Sequence, residues 1–329
     1  MRAEMKSSPI ALLLAVVLAL SQFAYAHHYA PPLAPDYRAE MQNFVIDISQ
    51  YAKTKKAEFL IVPQNGLELL SSGEEANLPY IEAIDGFGQE PYMRGDGASD
   101  VPRSIEEIAQ IRAGLKHLTD YSKKVLLTDY STDEAFIRAE MRQPTVPSAA
   151  HFFGALALDA IPKGVQRDYI AFNDAAVTAL SRVQNFLYLV NPQRYPDIVD
   201  LVDDIAETNY DLIIVDAFDN DGKPLSKTMV ERLQRKKSGA KRLIIAYMSI
   251  GEAEDYRHYY SESPEKVDWL DCENPNWEGN YYVKYWRSAW QRIIFGDANS
   301  YLDKIIAMGF DGVYLDTIDT YLYYEDAEN

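Results

Sequence analysis

The stretch GFDGVYLDTIDTYLYY, residues 309–324, reads as a buried strand from Phe310 to Asp316 that delivers a carboxylate at its C-terminal end. A second carboxylate, Asp319, and a row of tyrosines follow. Other strand-like runs end in the same manner. Their ends supply Gln64 and Asn65, Asp85 and Glu90, Asp129 and Tyr130, Asp216, Glu252 and Glu254, and Asp316 and Asp319. Carboxylates gathered at one mouth raise one another's pKa, so folding alone does not select such a ring. Cleavage of a glycosidic bond makes use of it. One carboxylate attacks the anomeric carbon or activates water, and another, kept protonated, gives its proton to the leaving oxygen. The remaining acids and amides can bind hydroxyls or an amino group. A divalent-cation cluster is the competing use. The segment DAFDNDG (216–222) has the look of a calcium loop but lacks the rest of the twelve-residue pattern, including its closing glutamate, and reads as a turn.

Two further segments carry candidate ligand contacts. SIGEAEDYRHYY (249–260) places Glu252, Glu254, Tyr256 and Arg257 close together after a tight glycine turn, either as a solvated loop with a surface ion pair or as a substrate-binding loop. CENPNWEGNYYVKYWRSAWQ (272–291) carries Trp277, Trp286 and Trp290, of which one or two are expected to flank a cleft as a sugar platform.

The elements that position these residues follow from hydrophobic periodicity. Met41, Phe44, Val45, Ile48 and Tyr51 recur at three and four residues and predict a helix over Asp36 to Lys53. Eight short apolar runs predict strands: 59–65, 81–90, 124–130, 151–158, 185–191, 211–217, 242–252 and 312–319. Helix-like segments separate most of them: Ser104 to Tyr121, Asp133 to Arg142, Asp168 to Ser181, Tyr195 to Thr208, Ser226 to Lys237, and Ala289 to Met308 with an interruption near Gly296. Strands that are apolar almost throughout are buried on both faces, as in a parallel sheet covered by helices. Eight strand–helix units point to α/β architecture of the (β/α)8 TIM-barrel type. An open doubly wound sheet is the rival, but no GxGxxG or Walker loop follows any strand, and polar groups end many strands instead of meeting at one switch point.

Composition sets further bounds. The 329 residues are enough for one large core, and hydrophobic residues at 47% with charged residues at 25% exclude global disorder. A net charge of −18 repels phosphate backbones, so nucleic acid is not an expected partner. The 24 tyrosines, each with a flat apolar face and a hydroxyl, suit sugar rings as well as core packing. Residues 1–26 combine Arg2 and Lys6 with the run IALLLAVVLAL and a terminal AYA, the pattern of a secretory signal peptide. The expected arrangement is a signal peptide over 1–26, a Pro-rich extended lead-in over 27–35 and a single barrel over 36–329, exported to the periplasm or beyond, with no stable membrane span once the signal is removed; an uncleaved anchor is the alternative. Cys272 is the single cysteine, and His27, His28, His117, His151 and His258 lack metal-ligand spacing, so neither a metal site nor a cofactor is expected.

Together FLIVPQNGLELL, EAIDGFGQE, YDLIIVDAF, IIAYMSIGEAEDYRHYY, NPNWEGNYYVKYW and GFDGVYLDTIDTY resemble the motif series of glycoside hydrolase family 114, the endo-α-1,4-polygalactosaminidase-like barrels. In that family the order begins with counterparts of FLYLVN and YDLIIVDAF, passes through GEAEDYR to DGVYLDTIDTY, and only then reaches PQNG, DGFGQE and VLLTDY. Here PQNG comes first and DGVYLDTIDTY last, so the chain reads as circularly permuted relative to the family order. A closed barrel tolerates this, because its first and last units are neighbours. The family's strands five to eight would be residues 59–158, its strands one to four residues 185–319, and residues 159–184 would join the old ends. The helix over Asp36 to Lys53 would then serve the strand that ends at Asp316.

The resemblance implies Asp316 as nucleophile and Glu90 as acid/base. It places Asp216, Glu252, Asn65 and Asp319 around the mouth as binding or tuning residues, with Tyr247 and Tyr130 as further candidates. Gln89 and the YMRGDG loop bear on specificity. The implied activity is secreted hydrolysis of a polysaccharide of α-1,4-linked galactosamine and N-acetylgalactosamine, a cationic amino-sugar polymer where deacetylated, with retention of configuration. The alternatives are hydrolysis of a different glycan and a non-catalytic carbohydrate-binding barrel.

Overall fold

In the computed structural model the described residues are 34–73, 75–94, 101–131, 133–140, 146–163, 172–219, 221–260 and 267–327. The expected signal peptide and most of the expected lead-in lie outside them. From Tyr37 onward the elements are, in chain order, α1 (Tyr37–Lys55), β1 (Leu60–Pro63), a hairpin of β2 (Ser71–Ser72) and β3 (Glu75–Ala76), α2 (Leu78–Ala83), β4 (Gly86–Gln89), α3 (Ile105–Asp120), β5 (Lys124–Tyr130), α4 (Glu134–Glu140), β6 (Ala150–Gly154), β7 (Phe186–Leu189), α5 (Ile198–Ala206), β8 (Leu212–Asp216), α6 (Lys227–Leu233), β9 (Leu243–Ser249), β10 (Glu252–Glu254), β11 (Leu270–Glu273), β12 (Asn280–Val283), α7 (Ser288–Ile294), α8 (Tyr301–Met308), β13 (Gly312–Asp316) and α9 (Tyr321–Ala327).

Each of the eight apolar runs contains one of the long-range parallel strands, which pair in two sheets ordered β1–β13–β9–β8–β7 and β4–β5–β6. Because β8 is buried at every residue, and β7 likewise, neither face of these strands meets water. An isolated parallel bridge between Gln64 and Gly88 links the β1 and β4 edges, reinforced by Asp85 N–H donating to the Ile61 carbonyl and Asn65 N–H to the Gly88 carbonyl, both at 2.8 Å. At the other two edges Phe152 of β6 lies against Phe186 of β7, ring centroids 5.6 Å apart. A separate antiparallel sheet, β10–β12–β11, stands after β9.

Close backbone approach fixes one glycine. A Cβ on Gly88 would lie 1.9 Å from the Tyr314 hydroxyl, so β4 can pass over β13 only without a side chain there. The helix α1 buries Met41, Phe44, Val45 and Ile48 of the stripe that the periodicity marks, with Tyr51 half-buried and Ala52 buried beside it. Arg38 near its start makes a two-pronged ion pair with Glu325 of α9, at 2.8 and 2.9 Å.

Two sequence expectations are corrected. The helix expected over Asp168 to Ser181 does not form across residues 172–181; the described part is extended and ends in a 3-10 turn at Leu180–Arg182. Asn173 accepts from Ala175 N–H in a local turn, and its side chain and carbonyl are taken up by Asp211 and Lys236, which removes the groups a helix needs. The strand expected over 81–90 is confined to Gly86–Gln89. Asn77 caps the preceding residues from the N-terminus, with Pro79 in the first turn, and turns Leu78–Ala83 into α2.

The ends of the strands remote from the carboxylate mouth are tied by buried charge. Asp211, just before β8, receives Lys236 Nζ at 2.6 Å, and both side chains are fully shielded from solvent. Gln184 N–H and the Asn173 and Asn185 amides complete its shell. Arg242 donates to the carbonyls of Ile205, Thr208 and Leu233, satisfying the carbonyl ends of α5 and α6. Lys236→Met strands the Asp211 charge and is expected to cost about 3–5 kcal/mol in urea unfolding. A loss below about 1 kcal/mol would mean that the pair is dispensable.

Candidate active site

The parallel register of β13 with β9 aligns Tyr314 with Tyr247 and Asp316 with Ser249, so the acid at the end of one strand meets the tyrosine of the other. Tyr247 Oη donates to Asp316 Oδ2 at 2.6 Å, and Thr317 N–H donates to Asp316 Oδ1 at 2.7 Å. Thr317 has left-handed backbone (φ 59), and its hydroxyl accepts from Gly251 N–H at 2.9 Å, which locks the turn beyond the acid. Asp316 is half-buried. Burial raises its pKa above the ordinary aspartate value, the Tyr247 and Thr317 bonds oppose that, and the Glu254 charge adds to it.

Glu90 follows β4. Its N–H donates to Asn65 Oδ1 at 2.9 Å, and Tyr130 Oη at the end of β5 donates to its Oε2 at 2.7 Å. Asn65 itself sits in the left-handed region (φ 64), a conformation asparagine tolerates, which turns its amide toward β4. Burial pushes the Glu90 carboxyl well above the usual range, Asp316 pushes it further, the Tyr130 bond pulls it back and Asp319 adds a last increment. Asp319 is pushed up to about 7, by burial first and by Asp316 second.

Asn65, Glu90, Tyr130, Tyr247, Asp316 and Asp319 are all half-buried. The structure brings Glu90, Asp316 and Asp319 within each other's electrostatic reach. Asp216 and Glu252 differ. Asp216 is buried and holds Arg257 through two bonds, at 2.9 and 2.7 Å, while Arg257 also engages Glu254 at 2.6 Å. The loop at 252–257 is therefore not a solvated one with a surface ion pair: the Arg257 side chain is 2% exposed, and its two carboxylate partners are neutralised beneath the mouth. Glu252 is buried and accepts from Asn274 at 2.7 Å and Asn280 at 3.1 Å. Burial raises its pKa, and the two amides oppose the rise.

Of the expected platform aromatics, Trp277 is exposed and Trp286 is half-buried against Tyr37 and Tyr324. Trp290 is core, its Nε1 donating to the Ile250 carbonyl at 2.8 Å.

Residues that the sequence did not single out complete the site. Tyr188 of β7 and Tyr314 of β13 lie buried below the carboxylates, with rings 5.3 Å apart, and Tyr188 Oη donates to Gln64 at 3.1 Å. Burial, then the Glu90 and Asp316 charges, hold both phenols neutral. A polar tip at alternate positions of an otherwise apolar strand was the available signal. Chemically, the mouth offers one carboxyl whose protonated form burial favours, one carboxylate with two fixed donors, and a neutral phenolic floor.

Residues 173–329 match the sequence model of Glycoside-hydrolase family GH114. An uncharacterized protein of Methanocaldococcus jannaschii is 48% identical over 132 residues, 39% of this chain and 35% of that one. One of Deinococcus radiodurans is 44% identical over 115 residues, 34% of each chain, and one of Thermotoga maritima 38% identical over 123 residues, 37% of this chain and 36% of its own length. The chain thus matches about a third of the length of these curated relatives. Among solved structures, that of Aspergillus fumigatus Ega3 in complex with galactosamine aligns at 24% identity with a TM-score of 0.27, covering 34% of this chain and 39% of that one. Over residues 173–329, therefore, the chain is similar to glycoside-hydrolase family GH114.

Proposed function

We propose that the protein is an exported glycoside hydrolase in which Asp316 is the nucleophile and Glu90 the acid/base. The observation that carries the reading is the charge division at the mouth. Burial and Asp316 favour the protonated form of Glu90, while Tyr247 and Thr317 N–H stabilise the ionised form of Asp316. In the first step the ionised Asp316 attacks the anomeric carbon as Glu90 gives its proton to the departing oxygen. In the second, Glu90 takes a proton from water, which attacks the same carbon and releases Asp316. That sequence retains configuration. It calls for carboxyl groups about 5–5.5 Å apart in the working complex, whereas inversion leaves about 6.5–9.5 Å for a water.

The substrate proposed is a polysaccharide of α-1,4-linked galactosamine and N-acetylgalactosamine. It rests on the family resemblance and on the acidic charge of the chain, which favours a partly deacetylated, cationic polymer. Asn65, Asp319, Tyr247 and Tyr130 reach the mouth and are proposed to contact or tune it. Asp216 and Glu252, with their carboxylates engaged, act from below. The same reading closes the strands into a (β/α)8 barrel of permuted order. Its supports are the β1–β13 pairing, the Gln64–Gly88 bridge, the Phe152–Phe186 contact, and a family match confined to the second half of the chain.

The test of function is mass spectrometry of products from partly deacetylated α-1,4-galactosaminan. Oligomers released by the parent and abolished by Asp316→Asn are expected, with Glu90→Gln about 10²–10⁴-fold slower. No release from this polymer, with release from another glycan, would overturn the substrate. No release from any glycan, with binding retained, would favour a non-catalytic sugar-binding barrel.

The pH dependence carries a sign. Activity needs Glu90 protonated and Asp316 ionised, so the Glu90 titration sets the alkaline limb and that of Asp316 the acid limb. The Tyr130 bond favours the ionised form of Glu90, so Tyr130→Phe raises the Glu90 pKa and moves the alkaline limb to higher pH. Tyr247→Phe removes a bond that favours ionised Asp316 and moves the acid limb up, narrowing the profile. A pH–kcat/KM profile of each variant checks both directions, and an acid limb moved by Tyr130→Phe with an alkaline limb moved by Tyr247→Phe would exchange the two roles.

A further inference from the structure

Asp129, near the end of β5, has no solvent exposure, yet its carboxylate meets four donors. Oδ1 accepts from three consecutive backbone N–H groups, those of Tyr92 (3.1 Å), Met93 (2.7 Å) and Arg94 (3.1 Å). Oδ2 pairs with His151 Nε2 at 2.8 Å. Successive amides converging on one anion form a nest, a geometry that replaces the water a buried carboxylate has lost. The amides belong to the chain that leads away from Glu90.

The next residue of the same strand, Tyr130, bonds the Glu90 carboxyl itself. One strand end therefore grips both the acid and the backbone that follows it. From the opposite side Asn65 holds Glu90 N–H. His151 arrives from β6, opposite Leu127, and its ring is stacked on Phe153 with centroids 4.1 Å apart. Arg112 Nε donates to Tyr92 Oη at 2.9 Å and Arg103 to the Pro91 carbonyl at 3.3 Å, tying the same loop to α3 and its entry. Nothing in the two-carboxylate mechanism uses the Asp129 carboxylate directly.

We propose that Asp129, supported by His151, is the positioning residue for Glu90, fixing the backbone after it so that its carboxyl stays in the desolvated mouth beside Asp316. The inference rests on the acid/base role of Glu90 proposed above. Without the Asp129 anchor three amides of the loop from Glu90 to Arg94 lose their shared acceptor, and the Glu90 side chain gains access to water. A misplacement of about 1 Å is sufficient to cost about 100-fold in rate.

The experiment is 13C NMR titration of protein labelled at glutamate carboxyls, with the Glu90 resonance identified by its loss in Glu90→Gln. In Asp129→Ala the Glu90 titration is expected to fall toward the ordinary glutamate value of about 4.3, and Asp129→Asn, which keeps an oxygen for the three amides, is expected to restore it in large part. Where the parent cleaves polymer, Asp129→Ala should lower kcat about 100-fold with little change in KM. A Glu90 titration in folded Asp129→Ala equal to that of the parent overturns the proposal. If Asp129→Ala does not fold, His151→Phe takes its place: a downward move supports the proposal, and an unmoved titration contradicts it. A parent that cleaves nothing removes the hydrolase reading but leaves the titration to decide this one.

Discussion

Glu90 and Asp316 share a partly desolvated mouth, and the charge of Asp316 acts on Glu90. Ionising both carboxylates in such a place is costly, which favours a proton on one of them. The local hydrogen bonds choose which one. Asp316 has a tyrosine hydroxyl and a backbone N–H as donors, whereas Glu90 has a single tyrosine hydroxyl, and its own amide is spent on Asn65. The floor of neutral phenols beneath, Tyr188 and Tyr314, adds no charge that would blur this division.

Three of the other acids near the mouth have compensating partners. Asp216 and Glu254 are balanced by the buried Arg257, and Glu252 by two asparagine amides. Buried pairs of this kind contribute little net stability, but losing one partner leaves a charge uncompensated. At the opposite strand ends Lys236 plays the corresponding part for Asp211. In each case a carboxylate at a strand terminus is fixed by a donor from a neighbouring unit, which couples the site to the strand register that delivers it.

How much of this was legible in the sequence depends on the range of the interaction. The strands were legible because 212–216 and 243–249 are apolar almost throughout, and a run buried on both faces announces itself locally. The interruption near Gly296 was legible too, since Gly296 adopts φ 129, between α7 and α8. The segment 172–181 was not, because its helical periodicity is outweighed by Asp211 and Lys236, 38 and 63 positions from Asn173. The sequence left Arg257 between a surface ion pair and a substrate-binding loop, because its partner Asp216 is 41 residues distant. Tyr188 and Tyr314 were concealed by position: a tyrosine inside an apolar strand looks like core until the fold brings its hydroxyl under a carboxylate. Asp129 carried a signal in its place at a strand end, but nothing local said that its partners would be amides of the preceding loop.

The most direct test of the account is to trap the glycosyl-enzyme. Glu90→Gln, deprived of its general base, is mixed with a dinitrophenyl α-glycoside of a galactosamine oligomer, whose leaving group departs without the proton that Glu90 would give, quenched in acid and mapped by peptide mass spectrometry. The account predicts a saccharide adduct on the peptide that contains Asp316 and no adduct in the Asp316→Asn, Glu90→Gln double variant. An adduct on another carboxylate, or products formed by the parent with inverted configuration, would contradict it.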